Sequence, residues 1–361
     1  MDICKELISQ FNIKDEYISS KPYGSGHIND TFLVTCKNNK YLLQRINHDI
    51  FKNPYEVMEN IHSICKHIKN KVIEENGDVE KEVMNFIKTK NGTYVCEADG
   101  NYYRMYIYVD DVACFQTVEN PKLFYYAGKS FGKFQQRLSD FPAYTLHETI
   151  KNFHNTKDRF EIFEKAIEND FSKRASSVME EINFVKERKN DTEIIVNLLE
   201  KNEIPLRVTH NDTKLNNILM DKDTLEGVCV IDLDTVMPST LLYDFGDAIR
   251  FGATTAEEDE KDLSKVNFDI NLFEEFAKGF IETMKNDITE KEVELLAFSA
   301  KLLTLECGMR FLTDHIDGDK YFKIHRENHN LDRARNQFKL VSDMEQQMDK
   351  MNEIVMKIYN S

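Results

Sequence analysis

The sequence predicts a two-lobed α+β fold, in which a small antiparallel-sheet lobe precedes a large, mainly helical lobe. The chain of 361 residues is long enough for two lobes. Strand-like segments are concentrated before residue 110, whereas helical periodicity dominates from about Lys122 onward. With 13 Gly and 6 Pro, the composition favours long helices over a turn-rich all-β fold. We place the lobe boundary between Asp110 and Asp111, which gives lobes of residues 1–110 and 111–361.

Charge and cysteine content argue against several classes of partner and compartment. Lys plus Arg number 47 against 63 Asp plus Glu, a net charge of −16, and no basic run interrupts this acidity. Such a chain repels nucleic acid and anionic membranes, so neither is an expected partner. The 7 cysteines are scattered without a C-x-x-C pair, which favours free thiols in a reducing compartment. Because the signal-peptide and membrane-span patterns are also missing, we expect a cytoplasmic protein and leave its oligomeric state open.

The strands of the small lobe follow from alternation and turn residues. Segments 31–36 and 41–46 flank a polar turn and predict a hairpin, and a glycine-bearing loop over residues 23–30 precedes it. Segments 81–88 and 102–109 predict two more strands.

One helix is predicted between these strands. Asn53 is placed to cap it, with Pro54 in the first turn. Its apolar stripe at helical spacing consists of Val57, Ile61, Ile64 and Ile68.

The large lobe is predicted to be helical apart from short strands within 205–220 and an apolar strand over 228–231, joined by a hairpin loop over 221–227. Further along, Thr289 and Glu292 form a capping box that opens a long helix.

A polar loop and the hairpin after it carry the clearest chemical signal. His210, Asp212 and Asn217 form an H-x-D-x-x-x-x-N pattern, and the second hairpin strand runs into Asp232. A base, an amide and a carboxylate in this order form the set that protein kinases use for phosphoryl transfer. Asp212 suits the base that orients a hydroxyl, while Asn217 and Asp232 supply the oxygen ligands that Mg²⁺ prefers. The alternative is a polar turn before a buried hairpin, in which Asp212 acts as a cap and Asn217 satisfies the turn. We expect His210 to brace the loop by hydrogen bonding rather than to take part in the chemistry.

A second motif has the sequence of a kinase metal site but lies in a different structural context. Residues 244–246 read D-F-G, yet they lie far from Asn217 and follow no matching strand. We therefore assign the metal to Asp232 and expect Asp244 to hold the catalytic loop from behind. Asp234 is either a second carboxylate near the metal or a cap for the following turn.

These motifs resemble the aminoglycoside phosphotransferase and choline kinase superfamily, whose fold is protein-kinase-like, and within it the N-acetylhexosamine 1-kinase branch. The segments that carry the resemblance are 26–31, 43–47, 207–217, 230–247, 304–310, 321–325 and 336–343. The resemblance implies phosphorylation of the anomeric hydroxyl of GlcNAc or GalNAc with ATP and Mg²⁺. It implies Asp212 as the proton acceptor, Asn217 and Asp232 as Mg²⁺ ligands, and four residues at the sugar: Asp212, Asn217, Arg310 and Tyr321.

The small lobe departs from the kinase pattern. The loop with Gly24 and Gly26 is not G-x-G-x-x-G; it either covers phosphates with backbone N–H groups or only makes a tight turn. The strand lysine that binds phosphates is missing, and Gln44 and Arg45 occupy its place. We favour Arg45 because it keeps the charge and offers a bidentate fork.

Two further features of the nucleotide site follow from the same comparison with kinases. The helix partner of Arg45 is Glu56 or Glu59, although a solvated helix face would carry the same residues. The segment that binds adenine through backbone groups is expected near Tyr108 and Val109.

Three alternatives remain open at this stage. A kinase of the same fold could act on an aminoglycoside, choline, methylthioribose or another sugar, and the net charge of −16 would suit a cationic acceptor. A non-catalytic nucleotide-binding module would explain the missing lysine, but not the intact Asp212, Asn217 and Asp232. For Arg310, an exposed ion-pair ladder with Glu306 and Asp314 competes with sugar contact.

Overall fold

The structure, a computed structural model, describes residues 3–24 and 28–361. It divides into two compact units. The first, here called the sheet unit, comprises Met1–Cys114, Asp140–Lys151 and Ile218–Pro238. The second, the helical unit, comprises Phe115–Ser139, Asn152–Asn217 and Ser239–Ser361.

Strands and helices are numbered along the chain within the described residues. The strands are β1 (Tyr17–Pro22), β2 (Asp30–Cys36), β3 (Lys40–Ile46), β4 (Cys96–Ala98), β5 (Asn101–Ile107), β6 (Val112–Ala113), β7 (Arg207–Thr209), β8 (Ile218–Asp221), β9 (Gly227–Val230) and β10 (Met237–Ser239). The helices are α1 (Ile3–Ile8), α2 (Pro54–Glu74), α3 (Pro121–Arg137), α4 (Thr156–Asn169), α5 (Met179–Glu187), α6 (Lys189–Glu200), α7 (Leu241–Gly252), α8 (Ile270–Met284), α9 (Glu290–Asp317) and α10 (His329–Asn360).

An antiparallel sheet of order β1-β2-β3-β5-β4 forms the body of the sheet unit. The predicted hairpin is confirmed as β2 and β3, and the strand predicted over 102–109 is confirmed as β5. The strand predicted over 81–88 is wrong. That segment makes an isolated bridge from Phe86 to Tyr106, and in this antiparallel register its first four residues would face positions beyond the end of β5 at Ile107.

Helix α2 follows the predicted pattern and anchors the segment beyond β9. The Asn53 side chain accepts hydrogen bonds from the first-turn amides, and the whole predicted apolar stripe is buried. The buried Asn60 amide nitrogen donates to the carbonyl oxygens of His147 (2.8 Å) and Val236 (3.1 Å). Because a buried amide without partners is costly, these bonds fix α2 against the chain just after Asp232.

The hairpin predicted from the polar loop onward is also confirmed. Strands β8 and β9 pair antiparallel, and β6 pairs with the other edge of β8. Asp232 stands just beyond the end of β9, in the left-handed region at φ 59°. Asp is one of the few residues other than Gly that tolerates this conformation.

Glycines set the closest helix contacts of the helical unit. A Cβ on Gly128 of α3 would collide with the Phe276 carbonyl oxygen of α8, and one on Gly279 would collide with that of Tyr125. A Cβ on Gly246 of α7 would lie 2.5 Å from the Ser299 carbonyl oxygen of α9. The residue that completes the D-F-G spelling therefore permits close packing of α7 on α9.

The capping box predicted for α9 is confirmed and extends to the strand before the catalytic loop. The Thr289 hydroxyl accepts from the Glu292 amide, while the Glu292 carboxylate accepts from the Thr289 amide. The same buried carboxylate binds Arg207 of β7 in a bidentate ion pair at 2.7 and 2.8 Å. The start of α9 thus holds the strand that leads into the loop.

Within the described residues none of the seven cysteines forms a disulfide, and five of them are buried. Within the described residues, no helix is both long enough and apolar enough to cross a membrane.

Candidate active site

The catalytic loop, residues 210–217, is held by two acidic residues of α7. The backbone amides of His210 and Asn211 donate to the Asp244 carboxylate at 2.9 and 2.7 Å. The Thr213 amide donates to Asp247 at 3.1 Å. Burial raises the pKa of the Asp244 carboxyl. Helix α7 therefore positions the loop backbone before any substrate arrives.

The His210 ring packs inside the helical unit. It is fully buried and makes edge contacts with Phe131 and Phe134. Its Nδ1 accepts a hydrogen bond from the Asp212 amide at 3.3 Å. His210 thus touches the backbone of Asp212 from within the core.

Both carboxylate oxygens of Asp212 have protein partners. Oδ1 lies 2.7 Å from the Lys214 ammonium, and Oδ2 accepts from the Asn217 amide nitrogen at 3.0 Å. Although burial opposes it, the carboxylates of Asp212 and Asp247 raise the pKa of Lys214. An Asp212 carboxylate held in this way can orient a hydroxyl and accept its proton. Sequence reasoning missed Lys214; its position two residues after Asp212 was the available signal.

Asn217 and Asp232 each carry an oxygen of the kind that Mg²⁺ prefers as a ligand. The Asn217 amide nitrogen also donates to the Asp212 carbonyl at 2.8 Å, so it is the amide oxygen that remains available as a ligand. Asp232 is exposed at the end of β9 in the sheet unit. The described residues contain no group of three or more His, Cys, Asp or Glu that could hold a metal. Mg²⁺ is commonly bound by one or two carboxylates together with substrate phosphates and water, which suits such a sparse donor set.

Asp234 has a different role from either that the sequence suggested. Its side chain is buried and forms an ion pair with Arg104 of β5. Its second oxygen accepts from the Asn29 amide nitrogen at 2.6 Å. The Arg104 guanidinium also donates to the Gln44 side-chain oxygen of β3 through Nε at 2.8 Å. A buried polar network therefore joins β3 and β5 to the segment that follows Asp232.

Arg45 and Gln44 lie on opposite faces of β3. Arg45 donates to Asp30 at 2.7 Å and to Asn101 at 3.3 Å, and its pair with Asp30 is partly exposed. Glu59 pairs with His147 at 2.8 Å. Sequence reasoning missed Arg104, whose only signal was a lone charge within an apolar strand.

The predicted adenine segment follows β5. The Tyr108 amide donates to the Lys40 carbonyl at 3.1 Å, and its ring contacts Tyr23 edge-on at 5.7 Å. Within the described part of the chain, the Val109 backbone N–H and C=O have no hydrogen-bond partner. Gly24 has a left-handed φ of 82° with open space around it, while Gly26 lies outside the described residues.

Arg310 of α9 lies between two aromatic rings. Its guanidinium is 5.7 Å from the centre of the Phe153 ring and 5.6 Å from that of Phe322. Tyr321 is 70% exposed and contacts the Phe322 ring edge-on.

Of the ion-pair ladder considered as an alternative for Arg310, the pair with Glu306 is present at 3.7 Å, but the ladder is not exposed, because Glu306 and Asp314 are both buried. The Asp314 carboxylate accepts the backbone amides of residues 320, 321 and 322 at 2.8–2.9 Å. Asp314 therefore holds the segment that carries Tyr321. Helical spacing predicted that Glu306, Arg310 and Asp314 share one face of the helix. It did not predict that the segment with residues 320–322 packs against Asp314.

A buried histidine connects α9 to the catalytic loop. His154 Nδ1 lies 3.1 Å from both carboxylate oxygens of Glu306, and Nε2 lies 3.3 Å from the Asn211 carbonyl oxygen. Sequence reasoning missed His154, because nothing near it in the sequence indicates these partners.

The fold and the carboxylate held on an H-x-D-x-x-x-x-N loop define a phosphotransferase of the kinase type. Residues 19–269 match the family model described as the phosphotransferase enzyme family, and the chain belongs to this family. The superfamily predicted from the motifs and the protein-kinase-like fold class are thereby confirmed.

Solved structures share the fold at low sequence identity. An aminoglycoside phosphotransferase from Alicyclobacillus acidocaldarius has a TM-score of 0.65 at 12% identity, covering 98% of this chain and 96% of that one. A choline kinase from Cryptosporidium parvum has a TM-score of 0.57 at 14% identity, covering 99% and 98%. A spectinomycin phosphotransferase, solved with ADP and spectinomycin, has a TM-score of 0.54 at 14% identity, covering 99% and 97%.

Proposed function

We propose that this protein transfers the γ-phosphoryl group of ATP to the anomeric hydroxyl of an N-acetylhexosamine, GlcNAc or GalNAc, with Mg²⁺ as cofactor. The observation that carries the proposal is the Asp212 carboxylate, held by Lys214 at 2.7 Å and by Asn217 at 3.0 Å. A base fixed at both oxygens loses little freedom when the acceptor hydroxyl binds it. Phosphoryl transfer depends mainly on such positioning and on charge neutralisation.

The metal and the nucleotide phosphates are assigned to the residues chosen from the sequence. Asn217 and Asp232 are the proposed Mg²⁺ ligands, and the ion would supply charge neutralisation at the phosphates. Gly24 and Gly26 are the proposed backbone contacts to the phosphates. Arg45 is the proposed phosphate-binding cation, since its partly exposed pair with Asp30 is weak enough to be exchanged for a phosphate.

The adenine ring is assigned to the segment at Tyr108 and Val109. Because the Tyr108 amide is already bonded to Lys40, the Val109 backbone groups are the better candidates for adenine. The ADP in the spectinomycin phosphotransferase supports a nucleotide in this fold. We infer that the protein acts in the cytoplasm, as its sequence suggests.

The charge around Arg310 favours a neutral acceptor over a cationic one. Arg159 lies near enough that burial, followed by the charge of Arg310, lowers its pKa. The Arg310 guanidinium lies over the Phe153 and Phe322 rings and pairs with Glu306 at 3.7 Å, while the Arg159 guanidinium donates to the Phe153 carbonyl oxygen at 2.8 Å. Two cations at this place disfavour an aminoglycoside or choline, whereas the rings suit the apolar face of a sugar. Arg310 and Tyr321 are therefore the proposed sugar contacts. The net charge of −16 belongs to the whole chain and does not report on one site, so it does not argue for a cationic acceptor.

The test is an ADP-release assay with ATP and Mg²⁺, run in parallel on GlcNAc, GalNAc, choline and an aminoglycoside. We expect turnover on the N-acetylhexosamines, with an acid-labile 1-phosphate as product. Asp212→Asn should abolish turnover and leave nucleotide affinity unchanged by calorimetry. Turnover on cationic acceptors alone would refute the acceptor assignment, and near wild-type turnover by Asp212→Asn would refute the catalytic assignment.

A further inference from the structure

The ring of His154 has an acceptor at each nitrogen. Nδ1 faces the Glu306 carboxylate and Nε2 faces the Asn211 carbonyl, and neither group can donate a hydrogen bond. A neutral imidazole carries a proton on one nitrogen only, so it would leave one of these contacts lone pair against lone pair. Protons on both nitrogens satisfy both contacts at once, and the geometry favours this form.

The charges around this ring come from two helices. Glu306 and Arg310 face it from α9, and Asp247 faces it from α7, where the Tyr243 ring also packs at 5.6 Å. Burial and Arg310 oppose the charged form of His154. Glu306 and Asp247 outweigh them and raise the pKa of His154 above its ordinary value.

The Asn211 carbonyl belongs to the peptide group that joins Asn211 to Asp212. Asn211 has a left-handed φ of 62°, a conformation that persists where the surroundings hold it. Its N–H is bonded to Asp244 at 2.7 Å, and its carbonyl faces His154 at 3.3 Å. With both ends of this residue held, the peptide plane that leads to Asp212 has a fixed direction.

We propose that His154, held as an imidazolium by Glu306, is a positioning residue that aims the Asp212 carboxylate through the Asn211 carbonyl. The role in turnover rests on the proposed function; the charged ring does not. Glu306 also lies 3.7 Å from Arg310, so one carboxylate supports both the base loop and the proposed sugar side.

The chain offers a matched control in His315. It is also buried on the helical unit, but burial and the nearby Arg174 lower its pKa. The wild-type protein is labelled with ¹⁵N in its histidine rings and studied by NMR. The signals that disappear in His154→Gln and in His315→Gln identify the two rings. At neutral pH we expect the imidazolium pattern for His154 and the neutral pattern for His315, and a neutral His154 in Glu306→Gln.

Turnover provides the second arm. A loop displaced by about 1 Å costs on the order of 100-fold in rate, so kcat should fall by about that factor in His154→Gln. The KM for ATP and the nucleotide affinity should remain unchanged, and His315→Gln should retain wild-type kcat. A neutral His154 ring in the wild type, or wild-type kcat in a folded His154→Gln, would overturn the proposal. If no acceptor is turned over, the proposed function fails, and the ring spectra still decide the charge of His154.

Discussion

Replacement of Arg104 by methionine tests the buried network beside Asp232. The substitution keeps much of the side-chain volume but removes the guanidinium. Asp234 would then retain only the Asn29 amide as partner, and the Gln44 oxygen would lose both of its N–H donors. The Arg104 and Asp234 side chains are 3% and 4% exposed, so water cannot replace the lost partner.

The expected loss of stability follows from this burial. Removing one partner of a buried ion pair costs about 3–5 kcal/mol, because the remaining charge is uncompensated. We therefore expect Arg104→Met to lower the free energy of unfolding by about that amount. The double variant Arg104→Met/Asp234→Asn should be more stable than Arg104→Met alone, since it no longer buries a lone charge.

Urea unfolding followed by circular dichroism measures this difference. Arg45→Met is the matched control: it removes an arginine from the neighbouring strand whose pair with Asp30 is exposed, and it should cost at most about 1 kcal/mol. Equal midpoints for Arg104→Met and Arg45→Met would refute the reasoning. A double variant less stable than Arg104→Met would also refute it.

Three further predictions concern the helical unit. In steady-state assays, Arg310→Met should raise the KM for the sugar about tenfold or more without changing the KM for ATP. The control Arg188→Met removes an arginine stacked on Phe184 and should change neither KM. Gly246→Ala should destabilise the protein by about 1–3 kcal/mol in urea unfolding, because its Cβ would meet a backbone oxygen of α9 at 2.5 Å. The pKa of His154 is raised above 6.5 in the folded state, so its charge stabilises the fold below about pH 6.5, and this contribution is lost as pH rises through the folded pKa. Between about pH 6 and 9, the urea midpoint of the wild type should fall relative to that of His154→Gln. Midpoints that change with pH in the same way in both proteins would contradict this.

Local signals predicted much of the fold. The β2–β3 hairpin, the Asn53 cap and the Thr289 capping box each depend on residues within a few positions of one another, and all three are confirmed. The strand predicted over 81–88 was wrong because the segment itself does not reveal that β5 ends at Ile107, which leaves its first residues without a strand to pair with.

The polar network of the site depends on contacts that a single sequence does not display. Arg104 and Asp234 are 130 residues apart, and His154 and Glu306 are 152 apart. No short spacing or motif in the sequence links either pair. The sequence analysis therefore chose Arg45, the charged residue nearest to the place where kinases carry the strand lysine. Asp212 and Asn217 could be predicted because they lie five positions apart in one chemically distinctive loop.

Because the catalytic loop is bonded to α7, we expect its amide hydrogens to exchange with solvent as slowly as those of the core. The amides of His210, Asn211 and Thr213 lie outside regular helices, yet each donates to a buried carboxylate of a helix packed against α9. We expect them to exchange when α7 separates from its neighbours, which would open the helical unit. Heating should therefore abolish activity at the same temperature at which this unit unfolds, with no earlier inactivation from local melting of the loop.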